Sequence, residues 1–220
     1  MELVESDRYL QNLTILGHHI ESKRRRVPQS CKPPNTYAKI RNEADEKYEC
    51  LVAKLRTEGT RWEDPEFPAN DKSLGQININ CTYSWKRPKE FNPNATFFIK
   101  DSLQFSANQG RLGGSWLFPI LDAVGKTQSM RKRLMPVQVD IQDERYCGMF
   151  RAFFWHFGEW KQVLVDDRLP VDSNNKLIFM SSKNPNEMWV ALFEKAYANL
   201  EPSGQTVLIN LGLHGPAPLK

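Results

Sequence analysis

Gln109-Gly-Arg-Leu-Gly-Gly-Ser115-Trp-Leu117 sets a glycine turn directly before an apolar stretch in which Trp116, Leu117, Ile120, Leu121 and Val124 recur at helical spacing. That pattern predicts a helix buried along one side, opened by Ser115. A turn feeding such a helix is how a fold presents a reactive side chain at a helix N-terminus. Downstream, Met149-Arg-Ala-Phe-Phe-Trp-His-Phe157 and Trp160-Lys-Gln-Val-Leu-Val-Asp166 flank Gly158 and are rich in aromatic and β-branched residues, which predicts a hairpin. Asn174-Asn175 marks a turn before a short strand over Lys176–Met180. Met188, Trp189, Leu192, Phe193, Ala196, Tyr197 and Leu200 then predict an amphipathic helix, begun by Asn184-Pro185 and ended near Pro202.

Upstream, Ala44, Tyr48, Leu51, Val52 and Leu55 predict a helix over Glu43–Glu58 with one buried face, and Gly59 is a natural stop. The prolines of Trp62-Glu-Asp-Pro-Glu-Phe-Pro68 favour an extended loop, and the chain between Trp85 and Phe97 reads as loops and short extended pieces. Three regions result: a basic, proline-containing arm over residues 1–42, a main body over 43–200, and a divergent tail over 201–220. Trp116, Phe154, Trp160, Trp189 and Tyr197 are the candidate core aromatics.

Composition narrows the class. With 40% hydrophobic residues, six Trp and twelve Phe, the chain of 220 residues has the material for a real core. No apolar run approaches the roughly 18 residues of a membrane span. Met1-Glu-Leu-Val-Glu-Ser-Asp7 carries acid where a signal peptide carries base, so a cytoplasmic protein is expected. Cys31, Cys50, Cys81 and Cys147 are far apart and lack metal-ligand spacing, which predicts free thiols. The net charge of +4 comes largely from Lys23–Arg26 and Arg131–Arg133. Neither run is interleaved with stacking aromatics, so solvated surface charge is expected and no specific nucleic-acid partner.

The glycine turn resembles the nucleophile motif of calpains, the calcium-dependent papain-like cysteine proteases, whose pattern is Gln-Gly-x-Leu-Gly-Asp-Cys-Trp. Further blocks agree in order and spacing: Phe67-Pro-Ala69, Lys86-Arg-Pro-x-Glu90, Phe157-Gly-Glu-Trp160, Val165-Asp-Asp-Arg-Leu-Pro170, and Asn186-Glu-x-Trp189 running into Glu194-Lys-Ala-Tyr197. The resemblance implies an α+β papain-like fold, limited to the first, nucleophile-bearing lobe of the protease core with the second lobe absent.

Carried over residue by residue, the resemblance breaks first at Ser115, which stands where the family has its nucleophilic Cys, and again at Gly114, which replaces the preceding Asp. A helix N-terminus and an imidazolium can hold a thiolate; a serine hydroxyl needs a base in contact. Gln109 matches the glutamine that donates to the oxyanion, or serves as a loop brace. Pro119 removes a backbone N–H near the helix start, which either distorts that start or is tolerated in its first turn. Papain-like histidines and asparagines fall roughly 130 to 150 residues beyond the nucleophile, and the sequence ends short of that distance from Ser115. His156 reads as a packed or edge imidazole, and His18, His19 and His214 lie in the arm and tail.

Calpain cores also bind calcium through the loop before the nucleophile and the Asn-Glu-x-Trp segment. Glu187 matches the second source; Ser106 replaces an Asp of the first, so a degenerate, weak calcium site is expected, with no other cofactor. Together these departures predict a catalytically inactive homologue, no enzyme, acting as a regulatory or interaction module. The rival is a calcium-dependent intracellular endopeptidase, active once a longer form or a second chain supplies the His/Asn lobe. An uncovered cleft face near Gln109, Ser115 and Trp116 would take protein partners or drive self-association.

Overall fold

The computed structural model describes residues 36–74, 81–99, 107–108, 110, 117–156 and 159–200. Two compact units are defined, Met1–Ala38 and Lys39–Lys220. Of the first, only the opening residues of one helix are described. In chain order the elements are α1 Thr36–Glu58, α2 Asp71–Leu74, β1 Tyr83–Lys86, α3 Pro88–Phe91, β2 Ala107–Asn108, α4 Leu117–Lys126, α5 Gln128–Leu134, β3 Met149–His156, β4 Glu159–Asp166, β5 Leu169–Asp172, β6 Ser181–Ser182 and α6 Trp189–Leu200. The described strands form three antiparallel pairs, β1 with β5, β2 with β6 and β3 with β4.

The hairpin β3–β4 is the central layer. Its register pairs Met149 with Asp166 and His156 with Glu159. Because strand side chains alternate in direction, Phe150, Ala152 and Phe154 join the main core, where the Phe154 ring lies 4.9 Å from Phe193 and 5.7 Å from Tyr197 of α6. The intervening residues meet α1: Arg151 Nη1 lies 2.6 Å from Asp45, its guanidinium stacks 4.2 Å over Tyr48, and Arg41 covers Phe153 at 5.7 Å. Tyr48, Val52 and Leu55 of α1 close a second small core with Cys147 and Met149. Both faces of β3 are therefore covered, which is why its sequence is a nearly continuous apolar run.

α4 buries Leu117, Leu121 and Val124, the side the sequence spacing marks. Pro119 lies near the start of the described helix, where a missing N–H is least costly, while Ser115 lies outside the described residues. Four expectations need correction. The first helix starts at Thr36, inside the segment read as a linker. Lys176–Met180 is not a ladder strand: Leu177 makes a single bridge to Val171, next to Asn175 at φ 60°. The last helix starts at Trp189 and is not amphipathic in the ordinary sense, because it also buries Glu194 and Lys195. Trp160 is half-buried, whereas Phe154 and Trp189 are buried and Tyr197 is partly so. Trp116 lies outside the described residues.

Candidate active site

The approach to the glycine turn that resembles the nucleophile motif is held by one strip of backbone. Ala107 pairs with Ser182 and Asn108 with Ser181, so the chain entering the turn runs antiparallel along the segment before α6. Two residues further, a Cβ placed on Gly110 would lie 2.5 Å from Phe179 C, 2.6 Å from Met180 N and 2.7 Å from Ile178 O. Side chains do not fit between backbones that close, so glycine is required there. Gln109 and Ser115 lie outside the described residues, and α4 resumes the described chain at Leu117.

Glu187 is brought against the same strip. It is buried, and its Oε2 accepts the Ser182 hydroxyl at 2.7 Å while its Oε1 accepts the Ile99 N–H at 3.3 Å. Thr96 bridges Glu187 through the backbone. The structure thus joins the Asn-Glu-x-Trp segment to the chain on either side of the loop preceding the turn. Ser106 lies outside the described residues. A calcium ion wants six to eight oxygens, and among the described residues no group of three His, Cys, Asp or Glu converges. Glu187, a carboxylate already engaged by two N–H or O–H groups, supplies only a small part of such a shell among the described residues.

Behind the strip lies a buried charged network. Lys195, fully buried, donates from Nζ to Asp166 Oδ1 at 2.6 Å, Asp166 O at 2.9 Å and Arg168 O at 2.8 Å. All three ammonium protons are used. Arg168 reaches the other Asp166 oxygen at 2.6 Å. Burial alone would raise the Asp166 pKa, but Lys195 and Arg168 outweigh it and hold the carboxyl below its ordinary value. Asp167 pairs with Arg87 and accepts the Tyr146 hydroxyl at 3.1 Å; burial pushes its carboxyl up against the pull of Arg87. Gly148 has a φ of 77° and a Cβ there would strike the Arg87 guanidinium. Glu194, next to Lys195, is buried without a cation among the described residues, and its Oε2 accepts the Met180 N–H at 2.7 Å. Burial raises its pKa to about 7.

Sequence reasoning did not single out Ser182, and it named Gly110 only as part of the turn and Glu194 only as part of a matching block, with no contact assigned to either. For Glu194 a further signal was an acid inside the apolar run Trp189-Val-Ala-Leu-Phe-Glu-Lys-Ala. His156 ends β3 opposite Glu159, in the hairpin as expected, and His18, His19 and His214 lie outside the described residues. Cys50, Cys81 and Cys147 are free thiols, while Cys31 is not described. Cys147 is buried, and burial raises its pKa, the opposite of an activated thiolate. The basic run Arg131–Arg133 is not simply solvated: Arg133 stacks 4.8 Å over Trp160 and Arg131 6.0 Å over Phe98.

A sequence model described as the calpain family cysteine protease matches residues 62–210. A calpain from Schistosoma mansoni is 44% identical over 172 residues, 76% of this chain and 23% of that protein. Human calpain-14 is 37% identical over 71% of this chain and 23% of its own length. Calpain-B of Drosophila melanogaster is 40% identical over 66% of this chain and 16% of its own. The chain spans less than a quarter of the length of these relatives. Its mixed helices and strands are those of an α+β papain-like fold, covering only part of the calpain core.

These matches overturn the expectation of an inactive homologue that is no enzyme, because the matching family is one of cysteine proteases and the relatives are calpains. That expectation leaned on a missing histidine and asparagine. A chain matching 16% to 23% of its relatives carries no information on a base located in the remainder. Ser115 does not exclude activity either, since a hydroxyl with an imidazole in contact is a competent nucleophile.

Proposed function

Because the chain belongs to the calpain family of cysteine proteases, we propose that it is the nucleophile-bearing half of a papain-like peptidase core, hydrolysing peptide bonds once a second lobe supplies histidine and asparagine. That lobe comes from a longer form of the protein or from a second chain. The observation that carries the reading is the fixing of Ala107–Gly110 along Ile178–Ser182 just ahead of α4. The first turn of α4 supports it, with Phe118 half-buried and Pro119 and Ile120 exposed, an apolar face suited to a docking lobe.

In this reading the imidazole takes the Ser115 hydroxyl proton as Oγ attacks the scissile carbonyl carbon. The Gln109 amide donates to the oxyanion that forms. The imidazolium then gives its proton to the departing amine, leaving an ester on Ser115 that water hydrolyses by the same route. Free Cys50, Cys81 and Cys147 suit a reducing compartment, and a cytoplasmic location is part of the proposal. No described helix is long and apolar enough to cross a membrane. Calcium binding at Glu187 is proposed to be weak, with a Kd of about 0.1 to 1 mM, because Ser106 offers a hydroxyl where a carboxylate would be needed.

The test combines the 220-residue chain with the histidine-bearing lobe of one of the related calpains and follows casein cleavage with and without calcium. Cleavage by the combination, lost on Ser115→Ala, is the expected result. A combination that associates stably and cleaves nothing, even after Ser115→Cys, refutes the reading. Without the second lobe, the exposed face of α4 is proposed to drive self-association. A monodisperse monomer at micromolar concentration in sedimentation, binding no hydrophobic dye, removes that part.

A further inference from the structure

The peptide unit joining Phe179 and Met180 is gripped from two directions. Glu194 Oε2 accepts its N–H at 2.7 Å, and Gly110 presses on the same unit so closely that a Cβ would fall 2.5 Å from Phe179 C and 2.6 Å from Met180 N. Ile178, Phe179 and Met180 are all buried, so this backbone meets no water. Without Glu194 the Met180 N–H would lose its acceptor in the interior, a strong penalty for leaving its position.

We propose that Glu194 is a positioning residue: by anchoring the Phe179–Met180 peptide it sets the surface on which Gly110 rests, and so where the chain enters the turn that leads to Ser115. The inference rests on the reading of residues 109–115 as the nucleophile turn. A carboxyl group is well matched to this task. Its acceptor oxygen sits on α6, which is packed among the aromatics of the hairpin, so the anchor point is rigid. The order along the strip also fits, because Ala107 and Asn108 are tied to Ser182 and Ser181, and Gly110 is the next described residue to meet it. An apolar residue at 194 would fill the space and leave the N–H unanswered, whereas glutamine keeps an acceptor of nearly the same reach. The raised pKa of Glu194 is consistent with a group that accepts its bond in either protonation state.

Hydrogen exchange of the full 220-residue chain, read by mass spectrometry at one pH, tests this without recourse to peptide cleavage, so a failure of the peptidase reading leaves the measurement intact. Glu194→Leu should speed exchange in peptides covering Ala107–Gly110 and Ile178–Ser182 by roughly three- to tenfold, the worth of one hydrogen bond, while the β3–β4 amides keep their protection. Glu194→Gln should return both segments to within about twofold of the parent. Unchanged exchange at Ala107–Gly110 in Glu194→Leu, equal acceleration of every amide, or a Glu194→Gln chain as fast as Glu194→Leu overturns the proposal. Where Glu194→Leu does not fold, a double-mutant cycle of Glu194→Asp with Gly110→Ala decides. Coupling of about fivefold or more in the folding equilibrium supports the shared peptide contact, and additivity within about twofold overturns it.

Discussion

Glu194→Gln should make the stability of this chain less sensitive to pH, and the size of the change follows from the carboxyl group's surroundings. In the folded chain Glu194 is buried and its pKa stands at about 7, against an ordinary value of 4.5. Burial causes the rise, and the Met180 N–H opposes it only in part. A folded-state pKa above the unfolded one means that the folded chain holds the proton more tightly. Its contribution is fully present below pH 4.5 and is lost as pH rises through 7. Each pKa unit is worth about 1.4 kcal/mol, so the full span amounts to about 3 kcal/mol, most of it lost between pH 5 and 8. Glutamine keeps an acceptor for the Met180 N–H and cannot ionise. Urea unfolding followed by circular dichroism at pH 5, 6, 7 and 8, for parent and variant side by side, isolates this group, since every other titrating residue is common to both. The parent should lose about 2 to 3 kcal/mol more than the variant across that range. Parallel profiles would mean that Glu194 titrates near its ordinary value, and the claim that it is a buried carboxyl without a cation would fall.

Lys195→Met should cost about 3 to 5 kcal/mol in the same unfolding assay, because Asp166 keeps its burial and loses one of its two cations; adding Asp166→Asn should restore part of the loss. Trp189→Ala should cost about 3 to 5 kcal/mol, given a side chain that is fully buried and set against Phe98 and Phe193. A loss under about 1 kcal/mol would put Trp189 outside the core. Gly110→Ala should destabilise by about 1 to 3 kcal/mol, since the new methyl group meets backbone that cannot rotate away, and a neutral result in thermal unfolding would contradict the close approach.

The elements legible in the sequence are those whose apolar spacing reports packing directly. α4 was visible through period-3.6 burial, α6 through the helical spacing of its large apolar residues although nearly its whole circumference is buried, and the hairpin through a dense aromatic and β-branched run around Gly158. The first turns of α1 were not, because they are held by polar means. Arg41 Nε lies 2.9 Å from Asp45 and covers Phe153, contacts that leave no apolar periodicity behind them. Leu177-Ile-Phe-Met180 misled in the other direction. Its apolarity reports burial of Ile178–Met180 beside Gly110 and not ladder pairing, and only tertiary context separates the two. Arg131 and Arg133 were read as solvated for a similar reason, since the rings they cover, Phe98 and Trp160, are distant in sequence. Of the site, Glu187 was legible from its motif, and its contacts to Ser182 and Ile99 were not.

The sequence blocks that carry the family resemblance look unrelated in the chain, yet most of them meet in one buried network. Arg87, whose own N–H donates to Glu90 at 2.8 Å, pairs with Asp167; the neighbouring Asp166 holds Lys195, and the Lys195 ammonium lies 5.9 Å from the Phe67 ring and 5.4 Å from the Trp85 ring. Taken singly, each buried charge is a liability, and removing one partner strands the other. Taken together they specify a register. Adjacent residues on a helix face different directions, so one turn of α6 serves two places: Lys195 fixes the corner between β4 and β5, and Glu194 fixes the Phe179–Met180 peptide. Movement of α6 by a single residue would break both at once. The hairpin corner and the seat of Gly110 are therefore set by the same helix turn, which explains how described strands that form only two-stranded sheets can hold the entry to the glycine turn in one position.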